Sequence, residues 1–547
     1  MSKRPLRPRF GFPLLAALCL SLALTVQASA YPLFRSPDIS PPHGSTLAAY
    51  VNGLAPADSP APIRMLEPAE GALVPPDAAS PILRWEDPAA TAWLVVLTVD
   101  GAPVCKGVLS TPSWVPDQGL WERIRRAAGT RTIEAAVHGI GPSGGLVSAG
   151  RTAFAVSEDQ AGARIAFLRK RLPFRTAKDN PFDSQMVVGD LGDYGPPRVV
   201  MQDVPICFNC HAYSLDGSTY GMDMDYKGDK GGYALVDVRE QVTVGDDDVV
   251  SWNDYVPPKP AKYSMGLFTC LSPDGRFAAS TVGETSAFIM LDDLYFSQMF
   301  YPATGQIAVR DRRTGKITPL PGADDTARIQ TNPGFTADGR RVAFARADVK
   351  PGIVADIMAG RLLKEDPRQD IREVNAKYPM QFSLWSVPFN DGRGGTPEPI
   401  RGASNNGLSN FFPKYSPDGR WLVFTQCATG LVLQPDSRLA IVPAGGGEAH
   451  VLAANTGLMN SWHSWSPNSR WLAFASKGNS PYTEIFLTHI DDDGRSSPAL
   501  RLFRFSHREL AAMVPEFVPD HAGSLQKSMD LKDPKEALGA SMATDGR

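Results

Sequence analysis

The stretch Pro413-Lys-Tyr-Ser-Pro-Asp-Gly-Arg-Trp-Leu-Val-Phe424 is one of four copies of a short motif in this 547-residue chain. In each copy a strand-like run leads into a tight turn of the Pro-Asp-Gly type, and an apolar strand-like run follows. Proline fixes φ ahead of the turn, and glycine accepts the positive φ that the turn needs. Each copy therefore predicts a β-hairpin. The other three copies are Phe268–Ser280, Pro333–Phe344 and His463–Phe474.

The spacing of the copies decides the fold class. They lie about 50 to 80 residues apart, which is enough for a four-stranded sheet with loops in each repeat. Radial repetition of such sheets makes a β-propeller. Ser214-Leu-Asp-Gly217 aligns with Ser272-Pro-Asp-Gly275 and adds a fifth blade. Residues Asp183–Met201 and the C-terminal strands supply a sixth, so we predict a closed six-bladed propeller.

Composition agrees with an all-β protein. Gly (49) and Pro (48) are spread along the chain, and long amphipathic helical stretches are scarce. The 55 basic and 58 acidic residues leave a formal net charge of −3. That balance gives no reason to expect nucleic acid as a partner.

The first 30 residues have the features of a cleaved signal peptide. Lys3 to Arg9 form a basic region, the apolar run Phe12–Val26 follows, and Ala28-Ser29-Ala30 is a small-x-small cleavage site. The apolar run is shorter than the roughly 20 residues that a membrane span needs. We therefore expect a periplasmic or secreted protein with no membrane span after cleavage.

Five further regions follow the signal peptide. Residues 31–62 are rich in Pro, Ala and Ser and predict a loose arm. Residues 63–157 contain several short strands with Trp85 on an early one, and they resemble an immunoglobulin or fibronectin type III-like sandwich. We expect a linker at 158–182, the propeller at 183–520 and a polar tail at 521–547.

The motif Cys207-Phe-Asn-Cys210-His211 is the attachment signature of a c-type haem. Its two thiols add to the haem vinyl groups, and the adjacent histidine binds the iron. A redox dithiol or half of a zinc site are the alternatives. No second cysteine pair completes four zinc ligands, and no thioredoxin-like context surrounds the motif. We predict one covalent haem c, with Cys207 and Cys210 as attachment residues and His211 as the proximal iron ligand.

The motif lies on the first strand of a repeat, and Tyr220–Met224 forms the second. With the repeats, this arrangement resembles exported TolB-like propellers of the WD40-like repeat type that carry an embedded Cys-x-x-Cys-His. The resemblance covers about Ile165 to Asp520 and includes Met513-Val-Pro-Glu-Phe517. A weaker likeness is to the haem-bearing propeller of the hydrazine synthase alpha subunit. The resemblance implies that the haem strand lies toward the central channel.

The sixth iron position decides between an electron carrier and an enzyme. Repeat alignment places His463 on its blade where His211 lies on its own, so His463 is a candidate; the alternative is a core histidine between Trp462 and Trp465. Three methionines near the motif are also candidates, although such methionines more often fill the core. They are Met222, Met224 and Met265.

Three functions remain open from the sequence. The first is a periplasmic monohaem electron-transfer protein that exchanges electrons with a redox protein or a small molecule. The second is a haem enzyme with an open distal site that acts on peroxide or a small nitrogen compound. The third is a propeller interaction module with a structural or sensory haem.

Overall fold

The computed structural model describes residues 31–42, 45–54, 59–162, 164–174, 176, 180, 183–202, 208–255, 264–290, 292–295, 298–362, 371–432, 434–519 and 527–532. The predicted signal peptide and Cys207 lie outside these residues. Within them the chain folds into an N-terminal β-sandwich followed by a six-bladed propeller, which confirms the predicted fold class.

The sandwich is built from two facing sheets. A seven-stranded sheet has the order β1-β7-β6-β9-β10-β2, with β4 also paired to β10, and a three-stranded sheet has the order β3-β5-β8. Trp85 is 1% exposed and lies edge-on to Trp93, so it anchors the sandwich core. The strands are β1 (Leu33–Arg35), β2 (Ala61–Pro62), β3 (Arg64–Glu67), β4 (Ala72–Val74), β5 (Leu83–Glu86), β6 (Ala92–Val99), β7 (Ala102–Leu109), β8 (Ser113–Trp114), β9 (Ile133–Ile140) and β10 (Leu146–Val156).

The predicted loose arm is wrong in part, because it contains a strand and a helix that pack on the sandwich. Strand β1 pairs in parallel with β7 from Leu33 to Arg35. Helix α1 (Leu47–Gly53) is capped by the Thr46 hydroxyl, and its Val51 is buried against the outer face of the large sheet. The prolines of residues 31–62 lie outside these two elements. The proline-rich composition therefore did not indicate that an apolar helix face packs on the sheet.

A helix also joins the sandwich, between β8 and β9. Helix α2 (Gln118–Ala128) starts at Asp117, whose carboxylate accepts a hydrogen bond from the backbone N–H of Leu120. It ends at Gly129, whose φ of +60° stops the helix. The apolar spacing of Leu120, Ile124 and Ala128 buries one face in the sandwich core.

The propeller consists of six four-stranded antiparallel sheets around a channel. We number the blades in chain order. Blade 1 has β11 (Arg164–Arg171), β12 (Gln185–Asp190) and β13 (Arg198–Met201). Blade 2 has β14 (Phe208–Tyr213), β15 (Thr219–Met224), β16 (Gly232–Asp237) and β18 (Val249–Ser251), with β17 (Gln241–Val244) outside the sheet. Blade 3 has β19 (Leu267–Leu271), β20 (Phe277–Val282), β23 (Gln306–Asp311) and β24 (Ile317–Pro319), with the hairpin β21 (Ser286–Met290) and β22 (Gln298–Pro302) inserted.

Blades 4 to 6 repeat the same order from the channel outward. Their strands are β25 (Arg328–Phe335), β26 (Arg341–Asp348), β27 (Ser383–Pro388) and β28 (Glu398–Pro399); β29 (Ser409–Tyr415), β30 (Trp421–Cys427), β31 (Arg438–Pro443) and β32 (His450–Val451); and β33 (Asn460–Trp465), β34 (Trp471–Ser476), β35 (Glu484–His489) and β36 (Leu500–Arg501). Helices α3 (Pro351–Met358) and α4 (Ile371–Lys377) are inserted between β26 and β27.

The C-terminal strand closes the circle of blades. Strand β37 (Leu510–Val518) is the innermost strand of blade 1 and pairs with β11 from Arg164–Val518 to Arg171–Leu510. Sequence analysis predicted a sixth blade completed by C-terminal strands, and the pairing confirms it. Both ends of the propeller chain thus lie in one sheet.

Two predicted boundaries need correction. Residues 164–171 were assigned to the linker, yet they form β11, which lies between β12 and β37. The basic residues Arg169–Arg171 at the C-terminal end of β11 made this strand hard to predict from the sequence, although Arg169 and Lys170 are buried. Part of the predicted polar tail is also a strand: β38 (Ser528–Leu531) pairs in parallel with β17 and buries Met529. Alternating apolar residues in a four-residue segment were too weak a signal to find it.

Insertions from three blades form a cap at one end of the channel. The β21–β22 hairpin of blade 3, helices α3 and α4 of blade 4 and the loop after β30 of blade 5 contribute to one apolar cluster. Buried members include Ala287, Ile353, Val374 and Leu431. We call this end of the channel the cap end and the opposite one, where the Pro-Asp-Gly turns lie, the turn end.

The sandwich contacts the propeller through a buried ionic network at blade 6. The Arg501 guanidinium binds Glu67 of the sandwich at 2.8 Å and Glu484 of β35 at 2.9 Å. These side chains are 8 to 12% exposed. Arg84 adds a bond to Glu67 at 2.6 Å. Because removing one partner strands a buried charge, this network couples the two domains.

We expect Glu67→Ala to destabilise the protein by about 3 kcal/mol, since it leaves two guanidinium groups short of a buried partner. The matched control is Glu86→Ala, which breaks the Arg64–Glu86 pair, whose side chains are 67% and 58% exposed. That substitution should cost at most about 1 kcal/mol. Chemical denaturation measures both variants, and equal losses would contradict the assignment.

Candidate functional site

The innermost strand of every blade carries a β-bulge, which lies at the same position of the repeat in five blades and one residue earlier in blade 2. Ladder registers shift there in β14, β19, β25, β29, β33 and β37. At five of the six bulges a non-glycine residue has a φ between +48° and +60°, a conformation that costs such residues about 1–2 kcal/mol. These residues are Phe268, Asn332, Phe412, Trp462 and Val514, and Cys210 occupies the sixth position.

These bulge residues surround the channel near its cap end, so the strained backbone shapes the channel. Bulges re-aim side chains and are common beside functional sites. Two residues further along each strand lies a second layer, which contains Lys414, Glu516 and Cys270. The turn end is bordered mainly by prolines. The channel cavity has a volume of about 210 Å³ and extends between these layers.

Cys210 opens on this channel at the level of the aromatic side chains of Phe268, Phe412 and Trp462. Burial raises the pKa of its thiol well above the usual range, and the nearby Asp223 carboxyl adds to the effect. Burial likewise raises the pKa of Asp223, although a hydrogen bond from the Cys210 backbone opposes that change. The Cys210 thiol therefore stays protonated near neutral pH, and burial disfavours the charged form of Asp223. The other attachment residue, Cys207, lies outside the described residues.

His211 follows Cys210 on β14 and is 2% exposed. Its cross-strand partner is Met222, and its imidazole lies 6.1 Å from the Tyr220 ring. Met222 and Tyr220 belong to the apolar cluster between blades 1 and 2. Asp223, which contacts Cys210, instead pairs with Tyr233 on the side of β15 that packs against blade 3. The thiol and the imidazole thus have different surroundings.

His463 occupies on β33 the position that His211 occupies on β14, as the repeat alignment predicted. Its Nε2 is 3.0 Å from the carbonyl oxygen of Val423 in blade 5. Burial lowers the pKa of the ring to about 3, so it is neutral, and Nε2–H donates to that carbonyl. The described geometry therefore gives this ring a structural contact between two blades.

The three methionine candidates also have packing contacts. Met222 is the cross-strand neighbour of His211 and accepts a hydrogen bond from the Tyr220 hydroxyl at 3.3 Å. Met224 pairs with Phe208 and is buried in the same cluster. Met265 precedes β19, packs against the cap cluster, and donates its backbone N–H to Glu284. Neighbours on adjacent strands lie side by side, so Met222 could not face His211 across an iron without rearrangement.

Sequence analysis missed the charged pair in the middle of the channel. Lys414 Nζ lies 2.6 Å from Glu516 Oε1, and the two residues come from blades 5 and 1. Burial lowers the pKa of Lys414, but the Glu516 carboxylate more than offsets this, so the ammonium stays charged. Each of the two residues lies one position after the residue that corresponds to His211 in its own blade. This position in the repeat was the sequence signal that could have identified the pair.

The cap end is crossed by the blade 3 insertion. Lys477, which follows β34 in blade 6, donates a hydrogen bond to the carbonyl oxygen of Leu294 in the β21–β22 hairpin. Blades 3 and 6 lie on opposite sides of a six-membered circle, so this contact spans the channel. Burial lowers the pKa of Lys477 to about 8. Among the described residues, this contact therefore covers the layer of channel residues that contains Cys210.

The donor set fits a covalently attached haem in its chemistry. The Cys210 thiol could form one thioether bond, the adjacent His211 imidazole could bind the iron, and the aromatic layer around Cys210 would offer apolar contacts to a porphyrin. The channel cavity of about 210 Å³ is below the roughly 300–1,000 Å³ of typical small-molecule pockets. Holding the group would therefore require a larger cavity than this structure shows.

Two kinds of feature are absent from the described residues. No group of three or more His, Cys, Asp or Glu side chains in this part of the chain is arranged to hold a metal ion. None of its helices is long and apolar enough to cross a membrane.

We expect the pH dependence of stability to report the buried state of His463. Its folded pKa of about 3 lies below the ordinary 6.5, so only the unfolded chain takes up this proton between those values. Stability is therefore lost as the pH falls from about 6.5 towards 3, by on the order of 1 kcal/mol per pH unit from this group.

His463→Asn should reduce that slope in denaturation curves measured from pH 7 to pH 4. Ser461→Ala, a substitution two residues away without a titrating group, is the control and should leave the slope unchanged. An unaltered slope in His463→Asn would show that this imidazole is protonated in the folded protein.

Comparisons with known proteins were made by sequence and by structure. No family model matches the chain, and no curated protein matches it by sequence. TolB from Acinetobacter baumannii is 14% identical, with 72% of this chain and 80% of that chain covered and a TM-score of 0.39. Hydrazine synthase from Kuenenia stuttgartiensis is 13% identical, covers 56% and 71%, and has a TM-score of 0.31. Apocarotenoid oxygenase from Synechocystis is 11% identical, covers 87% and 99%, and has a TM-score of 0.37. These are likenesses between strand-rich structures, and no functional conclusion rests on them.

Proposed function

We propose that the chain is an exported c-type cytochrome, a periplasmic electron-transfer protein with one haem attached to a propeller blade. The observation that carries the proposal is the placement of Phe208–His211, the described part of the Cys-x-x-Cys-His motif, on an innermost strand, with Cys210 open to an aromatic channel. Cys207 and Cys210 would hold the group through thioether bonds, and His211 would bind its iron. When bound, such a haem supplies reversible one-electron chemistry.

The chain's own residues would control the surroundings of that group. Phe268, Phe412 and Trp462 provide an apolar layer that excludes water, and apolar burial favours the less charged redox state of a cofactor. The cap cluster shields the same layer from solvent at one end. The Lys414–Glu516 pair adds no net charge.

His211 has to leave its described packing to bind iron, and the protein offers a matched comparison. His463 lies at the equivalent position of blade 6 and is buried to the same degree, at 1% against 2% exposed. A structural role in blade packing predicts similar effects of replacing either histidine. Haem ligation predicts that only replacement of His211 alters the absorption spectrum.

The test is to express the full chain with a c-haem assembly system and to measure its absorption, oxidised and reduced, with and without carbon monoxide. We expect haem that stays with the polypeptide after denaturation, because thioether bonds are covalent. Cys210→Ala should lose one thioether and shift the reduced α-band to longer wavelength. His211→Ala should change the spectrum, and His463→Asn should not.

Absence of covalent haem from the soluble, folded protein would contradict the proposal. A six-coordinate low-spin spectrum that ignores carbon monoxide supports electron transfer. A high-spin spectrum with rapid carbon monoxide binding would instead favour an enzyme with an open distal site, which the channel cavity beside Cys210 makes the second candidate.

A further inference from the structure

The middle of the channel contains an ion pair that is surrounded by the protein and lines the channel cavity. Lys414 and Glu516 come from the two blades that flank blade 6, and their side chains are 35% and 13% exposed. Both residues line the channel cavity, so this exposure is to the cavity. A buried ion pair is costly to build, and a hydrophobic pair of similar volume often serves stability equally well. Its presence in a cavity therefore points to a binding role.

The pair has spare hydrogen-bonding capacity. An ammonium group has three N–H donors, and a carboxylate has two accepting oxygens. Among the described residues, the one hydrogen bond that either side chain makes is the bond from Lys414 Nζ to Glu516 Oε1. A donor and an acceptor are thus presented side by side towards the cavity.

The surroundings of the pair favour an uncharged, planar ligand. Lys414 and Glu516 are the charged residues of the described channel lining, and their charges cancel. Burial raises the pKa of the Cys270 thiol in the same layer to about 12, so it adds no charge. Phe335, Trp465 and other apolar side chains supply the walls, and most of the lining is apolar.

We propose that the channel binds a small, planar, uncharged molecule at the Lys414–Glu516 pair, with the hydrogen-bonding pattern of an aromatic primary carboxamide. Its carbonyl oxygen accepts from Lys414, and its N–H donates to Glu516. Its ring packs against the aromatic wall. The site lies one layer away from Cys210 and does not depend on the haem proposal.

The ligand would enter from the turn end. The cap cluster and the contact between Lys477 and Leu294 cover the other end. The turn end is bordered by residues that lie one or two positions after the inner strands, and four of them are prolines. They are Leu215, Pro273, Ala337, Pro417, Pro467 and Pro519.

The native Cys270 thiol reports on occupancy of this site. The full mature chain is treated with methyl methanethiosulfonate, a small uncharged thiol reagent, and labelling of each cysteine is followed by mass spectrometry. Benzamide is the probe, and benzoate and benzylamine are matched molecules that lack the donor and the acceptor, respectively. Cys105 and Cys427, which are 0% and 2% exposed, are internal controls for unfolding.

We expect benzamide to slow the labelling of Cys270 saturably, with at least tenfold weaker protection by benzoate and benzylamine. The double variant Lys414→Met/Glu516→Leu removes both charges and keeps the cavity apolar, so the fold is retained. It should lose at least tenfold in benzamide affinity while its melting temperature stays close to that of the parent. Lys316→Met, an exposed lysine outside the channel, should bind benzamide as the parent does.

Labelling of Cys270 is measured with the haem-loaded protein and with the Cys210→Ala variant. A failure to bind benzamide can therefore be distinguished from a failure of haem attachment. Saturable protection in either form supports the site. No protection in both forms overturns it. Equal protection by all three probes, or an unchanged affinity in the double variant, also overturns it, because the ion pair then does not select the ligand.

Discussion

The antiparallel pairing of β11 with β37 is the interaction on which the rest of the structure depends. It joins Arg164 to Val518 and so places the first and last propeller strands in one blade. Without it, blade 1 would lack its innermost strand and the channel would lack one wall. Glu516, which lies on that strand, would then have no fixed position beside Lys414. Such a long-range contact is slow to form, because the chain must close a loop of more than 300 residues first.

The repeated bulge is the second organising feature. In each innermost strand it inserts one residue that the neighbouring strand does not match, and five of these residues accept an unfavourable positive φ. Close packing of six blades around an axis keeps that strain in place, since relaxing one strand would disturb its neighbours. Cys210 therefore occupies a position that the architecture already directs towards the channel. The described part of the Cys-x-x-Cys-His motif is thus built into a propeller blade and not into a separate helical domain.

The sequence predicted the elements that repeat. Its Pro-Asp-Gly turns located five blades, and alignment at Ser214 placed His211 on an innermost strand, as the structure confirms. It failed where tertiary contacts override composition. The basic end of β11 predicts a linker, yet this segment is an inner strand of blade 1 between β12 and β37, and its Lys170 is buried. The proline-rich region before the sandwich hid Val51, which is buried only against a sheet formed by distant residues.

By itself, the sequence determined which residues could carry chemistry: two cysteines and a histidine in a Cys-x-x-Cys-His motif, of which Cys210 and His211 lie on a strand predicted from a local turn signal. Turn geometry and strand alternation depend on neighbours in the chain, so they are readable from sequence. Only the tertiary structure decided what those residues face. Closing the circle brought Lys414 and Glu516 together across blade 6, gave His463 a carbonyl partner in blade 5, and laid a blade 3 hairpin over the Cys210 layer. These contacts join residues 40 or more positions apart in the chain, and no local pattern specifies them.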